Sequence, residues 1–336
     1  MSDQSTQCLW VQEGWLEQAG TWIHAELQRQ DIYVTGMLEQ PQGGFSSTVL
    51  RVPSTAGDIY FKACGPGFGH EPALTASLWR WRPDCMPPVL AVDLQRGWML
   101  TPDLGVSLRS IVQATRVLQH WQRVLSLYAE VQIDLTSRIN EILELGALDR
   151  RLTVLPHRYE QLLTDTDALR LGHPGGLSAE EYQSLRRFAP EFQAMCEQLA
   201  GYRIPETLHH EDFHDANIFV RGSHYTFADW GEGGVAHPFF TLLVTSRVVA
   251  WRLGLVEDAP ELVHLRDIYL EPWSRFESRE NLIAAFGLAY RVGMVCRALT
   301  WRRIVAGLGE PVSAEYAEAV PAWLQEFLNQ ETTPTE

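Results

Sequence analysis

Residues 208–231 read LHHEDFHDANIFVRGSHYTFADWG, and the rest of the chain is organised around them. Two short apolar runs, 217–220 and 225–228, flank Arg221-Gly222-Ser223-His224, which is turn chemistry. That pattern predicts a β-hairpin. Asp212 then falls just before the first strand, Asn217 at its start and Asp229 at the end of the second. Antiparallel pairing brings the start of one strand beside the end of the other, so Asn217 and Asp229 are expected to meet. Two hard oxygen ligands with a third carboxylate nearby suit a Mg²⁺ ion that also holds phosphate oxygens.

The spacing also matches the kinase catalytic loop, H-x-D-x-x-x-x-N followed by an Asp-containing turn. His210, Asp212 and Asn217 fall in register, and Asp229-Trp230-Gly231 stands in place of Asp-Phe-Gly. With His214 and the Asp-Trp-Gly variant, the segment resembles the aminoglycoside phosphotransferase family of small-molecule kinases, whose loop usually reads H-G-D-x-H-x-x-N. This chain has Glu211 where that family usually has Gly, and Asp215-Ala216 where Pro-Gly is common. The resemblance implies an α+β, two-lobe protein-kinase-like fold that moves the γ-phosphoryl group of ATP to a hydroxyl. Asp212 would accept the hydroxyl proton or orient that oxygen, while Asn217 and Asp229 hold Mg²⁺. His210 and His214 are expected to organise the loop by hydrogen bonding.

Two other readings compete with this one. His209, His210, Glu211, Asp212, His214 and Asp215 carry zinc-ligand chemistry, but not in the helix-borne H-E-x-x-H spacing and with no cysteine near. A solvated polar turn leaves the convergence of Asn217 and Asp229 without a reason.

Upstream, 33–40, 48–52 and 59–63 read as strands. The Gly- and Ser-rich turn 41–47, with Ser46 and Ser47, can bend backbone N–H groups over phosphates. Lys62 lies in a β-rich run, on one face with Tyr60. Glu71 opens a helix over 72–81 soon after. Kinases hold the α- and β-phosphates with a strand lysine positioned by a helix glutamate. Short strands follow at 89–93 and 98–101. In the resembled family 99–102, with Leu100, is the hinge whose backbone binds the adenine edge.

Helices are expected over 9–28, with Leu16, Ala19, Ile23 and Leu27 as its stripe and Trp15 and Trp22 packing beside it. Others are expected over 117–131, from the capping box Ser178-Ala179-Glu180-Glu181, over 239–251 and 282–304, and over 315–327 with Pro321 bending or breaking it. Residues 171–177 and 232–238 read as loops, and 329–336 as a disordered tail. The expected division is a first lobe over 1–102 and a helical lobe over 103–336.

A hydrophobic content of 46% supports a substantial core, and a net charge of −15 argues against nucleic acid and anionic membranes as partners. Five scattered cysteines without C-x-x-C point to a reducing cytoplasm. No basic-then-apolar leader and no membrane span stand out, and a monomer or homodimer is expected. Glu211, Asp215 and Glu232 around the site predict a neutral or cationic acceptor, an amino sugar or amino alcohol. The alternative function is a nucleotide-binding module without transferase activity.

Overall fold

The structure, a computed structural model, describes residues 9–44, 46–256, 258–307 and 314–330. Phe45 of the Gly- and Ser-rich turn and most of the expected disordered tail lie outside the described residues. A 3₁₀ turn over Leu9–Val11 precedes helix α1, Trp15–Gln28. Its buried stripe is Trp15, Ala19, Ile23 and Leu27, four residues apart. Leu16, expected on that stripe, is 53% exposed instead. One residue along a helix is a rotation of about 100°, and Trp15, with more apolar surface to bury, takes the inward place.

Strands β1 (Glu39–Gly43), β2 (Ser47–Ser54) and β3 (Gly57–Cys64) lead to helix α2, Glu71–Trp81, followed by β4 (Ala91–Asp93) and β5 (Trp98–Pro102). These strands form an antiparallel sheet in the order β1-β2-β3-β5-β4. The strand expected over 33–40 starts only at Glu39; before it Val34 makes a single bridge to Ser54. β3 alternates, with Ile59 and Phe61 buried and Tyr60 and Lys62 on the other face. Phe61 packs edge-on against Trp98 at 5.4 Å between centroids, and Trp22 against Trp98 at 5.6 Å, so α1 covers the sheet through an aromatic cluster.

Leu100 does not occupy a hinge, contrary to expectation. It is fully buried in that cluster, pairs with Phe61 on one side and Ala91 on the other, and its carbonyl accepts from Leu90 N–H at 2.8 Å. A residue with strands on both sides offers no open backbone edge to an adenine. The chain leaves the sheet at Asp103, whose N–H bonds the Asp58 carbonyl at 3.0 Å. Gly105 follows at φ +102°, where a Cβ would sit 2.5 Å from the Val220 carbonyl oxygen, so only glycine fits.

Then come β6 (Val106–Ser107), α3 (Leu108–Thr115), α4 (Gln119–Asp134), α5 (Ile139–Glu144), β7 (Leu148–Asp149), α6 (Leu155–Leu163) and α7 (Ala179–Gly201). The capping box is present: Ser178 Oγ accepts from Glu181 N–H, and the Glu181 carboxylate accepts from Ser178 N–H. β8 (Thr207–His209), β9 (Ile218–Arg221), β10 (His224–Phe227) and β11 (Gly234–Ala236) precede α8 (Thr241–Leu253), α9 (Pro260–Leu270), α10 (Arg279–Gly307) and α11 (Ala314–Asn329). β11 lies inside 232–238, a stretch expected to be irregular; it pairs parallel to β7 and antiparallel to β8. Pro321, expected to bend or break the last helix, does not break it: α11 continues through it to Asn329.

The chain divides into two compact units. The first takes the residues through Ile111 with Ala216–Gly231 and Gly307, and so owns the β9–β10 hairpin, which pairs with β6. The second takes Val112–Asp215, Glu232–Ala306 and α11. This differs from the 102/103 division, because the hairpin completes the first unit from far downstream in the chain. By length and composition α10 could cross a membrane, which the sequence reading does not anticipate; 61% of its apolar window is buried inside the protein, as in a core helix. Leu282, Ala285, Ala289, Val292, Cys296 and Leu299 form its expected buried stripe.

Candidate functional site

In the first unit the hairpin folds in the expected register, with Ile218 opposite Phe227 and Val220 opposite Tyr225. Ala228 N–H then bonds the Asn217 carbonyl at 2.9 Å, which puts Asn217 and Asp229 at the same open end. Phe227 N–H bonds the Cys85 carbonyl at 2.9 Å, fixing the hairpin to the segment after α2. Asp229 has φ +69°, a left-handed backbone that Asp tolerates better than most residues.

Lys62 reaches this end from the face of β3 opposite the aromatic cluster. Its Nζ donates to Glu71 Oε1 at 2.6 Å and to Asp229 Oδ1 at 2.7 Å. Glu71, the first residue of α2, is 1% exposed, and its carboxylate sits where the helix N-terminus favours negative charge. The same carboxylate accepts from Trp230 N–H at 3.2 Å and from Cys64 Sγ at 3.3 Å. Burial alone would lower the Lys62 ammonium, but the Asp229 and Glu71 charges outweigh it and hold Lys62 above its ordinary value. Trp230 is fully buried and donates from Nε1 to the Phe227 carbonyl at 2.8 Å, pinning the turn. Gly231 lies flat against this group: a Cβ there would meet Glu71 Oε2 at 3.0 Å and Phe68 Cδ1 at 3.2 Å. The Asp-Trp-Gly sequence therefore divides its labour into a charge, an anchor and a gap.

The turn before β2 is short. Gly44 N–H bonds the Ser47 carbonyl at 2.9 Å, and Gly65 N–H the Ser46 carbonyl at 2.7 Å. Ser47 is already the first residue of β2, opposite Cys64, so Ser46 alone of the two serines lies in the turn.

In the second unit, the loop after β8 is braced by three helices. Tyr128 Oη of α4 accepts from His210 N–H at 3.1 Å, and its ring stacks on Phe213 at 4.0 Å between centroids. From α8, Thr245 Oγ1 donates to the Phe213 carbonyl at 2.7 Å, and Thr241 Oγ1 meets His209 Nδ1 at 3.0 Å. From α10, Arg297 Nη1 donates to the Glu211 carbonyl at 3.0 Å. His210 and His214 both serve this loop: His210 packs edge-on to Phe213, and His214 Nε2 lies 3.1 Å from Asp212 Oδ2. No set of three His, Cys, Asp or Glu among the described residues is arranged to hold a metal.

Of the acidic rim expected from Glu211, Asp215 and Glu232, the first two turn inward and the third is paired. Glu211, at φ +67° and 2% exposed, turns inward, where Cys296 Sγ donates to its Oε1 at 2.7 Å. Asp215 is 1% exposed and bonds Arg252 Nε of α8 at 3.0 Å. Glu232 bonds Arg297 Nη1 at 2.9 Å. Residues adjacent in sequence leave a tight turn in different directions, and acids that go inward are matched by cations. Asp212 keeps 28% of its side chain exposed. Burial would raise its pKa, but the His214 hydrogen bond and the Arg297 charge hold the carboxyl below the usual range.

The sequence reading reaches Lys62 without its singularity, and does not reach Arg297. Lys62 is the only lysine in the chain, beside 26 arginines, and a count would have singled it out. Arg297 sits in the middle of a long helix, where 292–300 are buried on every side and no motif marks it.

No family model matches the sequence, and no curated protein matches it. Solved structures do. A choline/ethanolamine kinase family protein from Mesorhizobium loti is 19% identical with a TM-score of 0.60, the match covering 90% of each chain. The Plasmodium vivax ethanolamine kinase is 14% identical with a TM-score of 0.59, covering 93% of this chain and 88% of that one. The GDP complex of an aminoglycoside 2′-phosphotransferase is 12% identical with a TM-score of 0.60, covering 93% and 98%. At these identities the likeness establishes the fold, α+β and protein-kinase-like, with a small β-rich lobe and a larger, mainly helical one.

Proposed function

We propose that this protein is a small-molecule kinase that transfers the γ-phosphoryl group of ATP to a hydroxyl. The observation that carries the reading is Lys62, which contacts both the buried Glu71 and Asp229 at the end of the hairpin that also holds Asn217. Asn217 and Asp229 would hold Mg²⁺ through oxygen, and the ion when bound would neutralise phosphate charge. Lys62 places a fixed positive charge where phosphate oxygens bind, and Glu71 sets its direction. Asp212 orients the acceptor hydroxyl and takes its hydrogen bond, and catalysis is mainly positioning.

For the acceptor we propose an amine-bearing alcohol, an amino alcohol or an amino sugar. The support is the acceptor named for structurally similar proteins, choline or ethanolamine and aminoglycosides. The inward, paired Glu211 and Asp215 lend it none. The cysteines of the described residues, Cys64, Cys85, Cys196 and Cys296, are buried thiols, and the location we propose is cytoplasmic. The test is a screen of hydroxyl compounds for acceptor-dependent ADP release with Mg²⁺-ATP. Release that depends on both Asp212 and Asp229 supports the kinase. Mg²⁺-ATP binding with no acceptor turned over would make this a nucleotide-binding module instead.

A further inference from the structure

Arg297 is 7% exposed and reaches the 211–212 turn from the middle of α10. Its Nη1 donates to the Glu211 carbonyl at 3.0 Å and to Glu232 Oε2 at 2.9 Å. Its Nη2 lies 3.6 Å from Asp212 Oδ1. That is close enough for a strong Coulomb interaction in a buried setting and too long for a hydrogen bond. The Trp301 ring lies 6.0 Å from the guanidinium, one turn further along the same helix.

Burying a guanidinium costs several kcal/mol unless carboxylates and acceptors offset it. Neutralising Glu211, whose Oε2 lies 3.7 Å from Nη1, accounts for part of its place but not for its aim. Glu232 and Asp212 keep 21% and 28% of their side chains exposed, so each has water available to its charge. Glu211, which is sealed from water, accepts from the Cys296 thiol, and its other oxygen lies 3.7 Å from Arg297 Nη1, so the guanidinium also offsets this buried charge. What Arg297 adds is direction. Two bonds, to the turn's own backbone and to Glu232, fix the guanidinium plane, and the remaining amino group is thereby aimed at one oxygen of Asp212. His214 meets the other oxygen at 3.1 Å.

We infer that Arg297 is a positioning residue for phosphoryl transfer, anchored by Glu232 and the Glu211 carbonyl so that its charge fixes the orientation and ionised state of Asp212. The inference rests on the kinase reading, in which Asp212 receives the acceptor hydroxyl. A carboxylate held between a guanidinium and an imidazole stays charged and in one rotamer, and so presents its lone pairs without prior reorganisation. Glu232 then serves as the anchor of the arginine. The charged groups around Asp212 are His214, His210 and Arg297; Arg297 also meets Glu211 and Glu232, on which Arg150 and Arg303 act in turn. Of these, Arg297 and His214 lie directly against the Asp212 carboxylate, one at each oxygen.

The experiment is a pH titration of the Asp212 carboxyl by NMR with isotope-labelled aspartate, the signal assigned by its loss in Asp212→Asn. In Arg297→Gln the titration should move up by about one pH unit or more, and Arg297→Lys should recover part of that shift. The acidic limb of Mg²⁺-ATP turnover should move with it. Glu232→Gln, which leaves the arginine in place but loosens its anchor, should lower turnover while moving the titration far less. An unmoved titration in Arg297→Gln, with turnover lowered equally at every pH, would reduce Arg297 to a structural cation and overturn the inference. If Arg297→Gln does not fold, the Arg297→Lys titration decides, since a shorter point charge cannot keep both anchors and the aim. Turnover indifferent to Asp212→Asn would instead overturn the kinase reading, and the titration would still report on Arg297.

Discussion

Lys62 Nζ lies 2.7 Å from Asp229 Oδ1, a contact that spans 167 residues of chain. It joins the central strand face of the first unit to the hairpin that returns to that unit from far downstream. The same ammonium holds Glu71, so one cation organises a helix N-terminus and the end of a hairpin together.

Replacing Lys62 should therefore act on both folding and nucleotide. Glu71 is 1% exposed, and removing one partner of a buried pair costs on the order of 3 kcal/mol. Lys62→Met is expected to lower stability by about that much in denaturant titrations and to weaken Mg²⁺-ATP binding at least about tenfold. As Lys62 is the only lysine, an amine-acylating ATP analogue should label it alone apart from the chain terminus, and ATP should protect it. Unchanged affinity in Lys62→Met would remove this residue from the site.

Gly231→Ala tests the gap. The added methyl would sit 3.0 Å from Glu71 Oε2, and that carboxylate is held on three sides. Overpacking of this kind costs about 1–3 kcal/mol. The nucleotide affinity should fall along with stability, because Glu71 must shift and Lys62 with it. A variant that loses stability but keeps full affinity would show that the Lys62 position does not depend on Glu71.

The hairpin and the Lys62–Glu71 pair are legible in the sequence because each is short-range pattern: alternation, turn residues, a glutamate opening a helix. The features that are not legible have no such local signature. Leu100 resembles a hinge residue from its place before Pro102, but whether a strand has a free edge depends on which strands flank it. Glu211 and Asp215 read as a rim because charge counts ignore direction; at φ +67° the chain turns Glu211 inward. β11 is three residues long and exists only because β7 and β8 lie on either side of it. Arg297 is hidden because its partners are 65 to 86 residues away.

Two buried histidines predict acid sensitivity. Burial pushes His209 down to about 4 and His237 to about 3, from an ordinary 6.5. Both are then neutral in the folded protein, while the unfolded chain takes up protons below about pH 6.5. Their contribution is fully present above about pH 6.5 and is lost as pH falls toward the folded values. Between about pH 7 and pH 5 the loss should be about 2 kcal/mol per histidine, in a window above the carboxylate range. Denaturant titrations at the two pH values measure it, and His237→Gln should flatten the slope by roughly half. A pH-independent stability over this range would mean that these rings are already protonated or exposed.

A control separates stability from function. Ser178→Ala removes one half of the capping box of α7 and should cost about 1 kcal/mol. Its nucleotide affinity should match the parent protein. Loss of affinity here would mean that general destabilisation, not local contacts, explains the Lys62 and Gly231 variants.

Asp229 provides the metal test. Its side chain is 55% exposed, so its pair with Lys62 is worth little to folding once solvent screening is considered, about 1 kcal/mol or less. Asparagine tolerates the left-handed backbone at φ +69° that Asp229 adopts, so Asp229→Asn keeps the turn, which alanine would strain. The substitution removes the charge and leaves the shape. Stability should hardly change, while Mg²⁺-ATP turnover should fall by orders of magnitude, since transition-state charge loses its neutralising ion. Chelation of divalent ions should weaken ATP binding in the parent protein and make little difference in the variant. Asn217→Ala should resemble Asp229→Asn in metal dependence, because Asn217 lies at the same end of the hairpin. Equal Mg²⁺ dependence in the parent and in both variants would place the metal elsewhere and leave Asp229 as no more than a partner for Lys62.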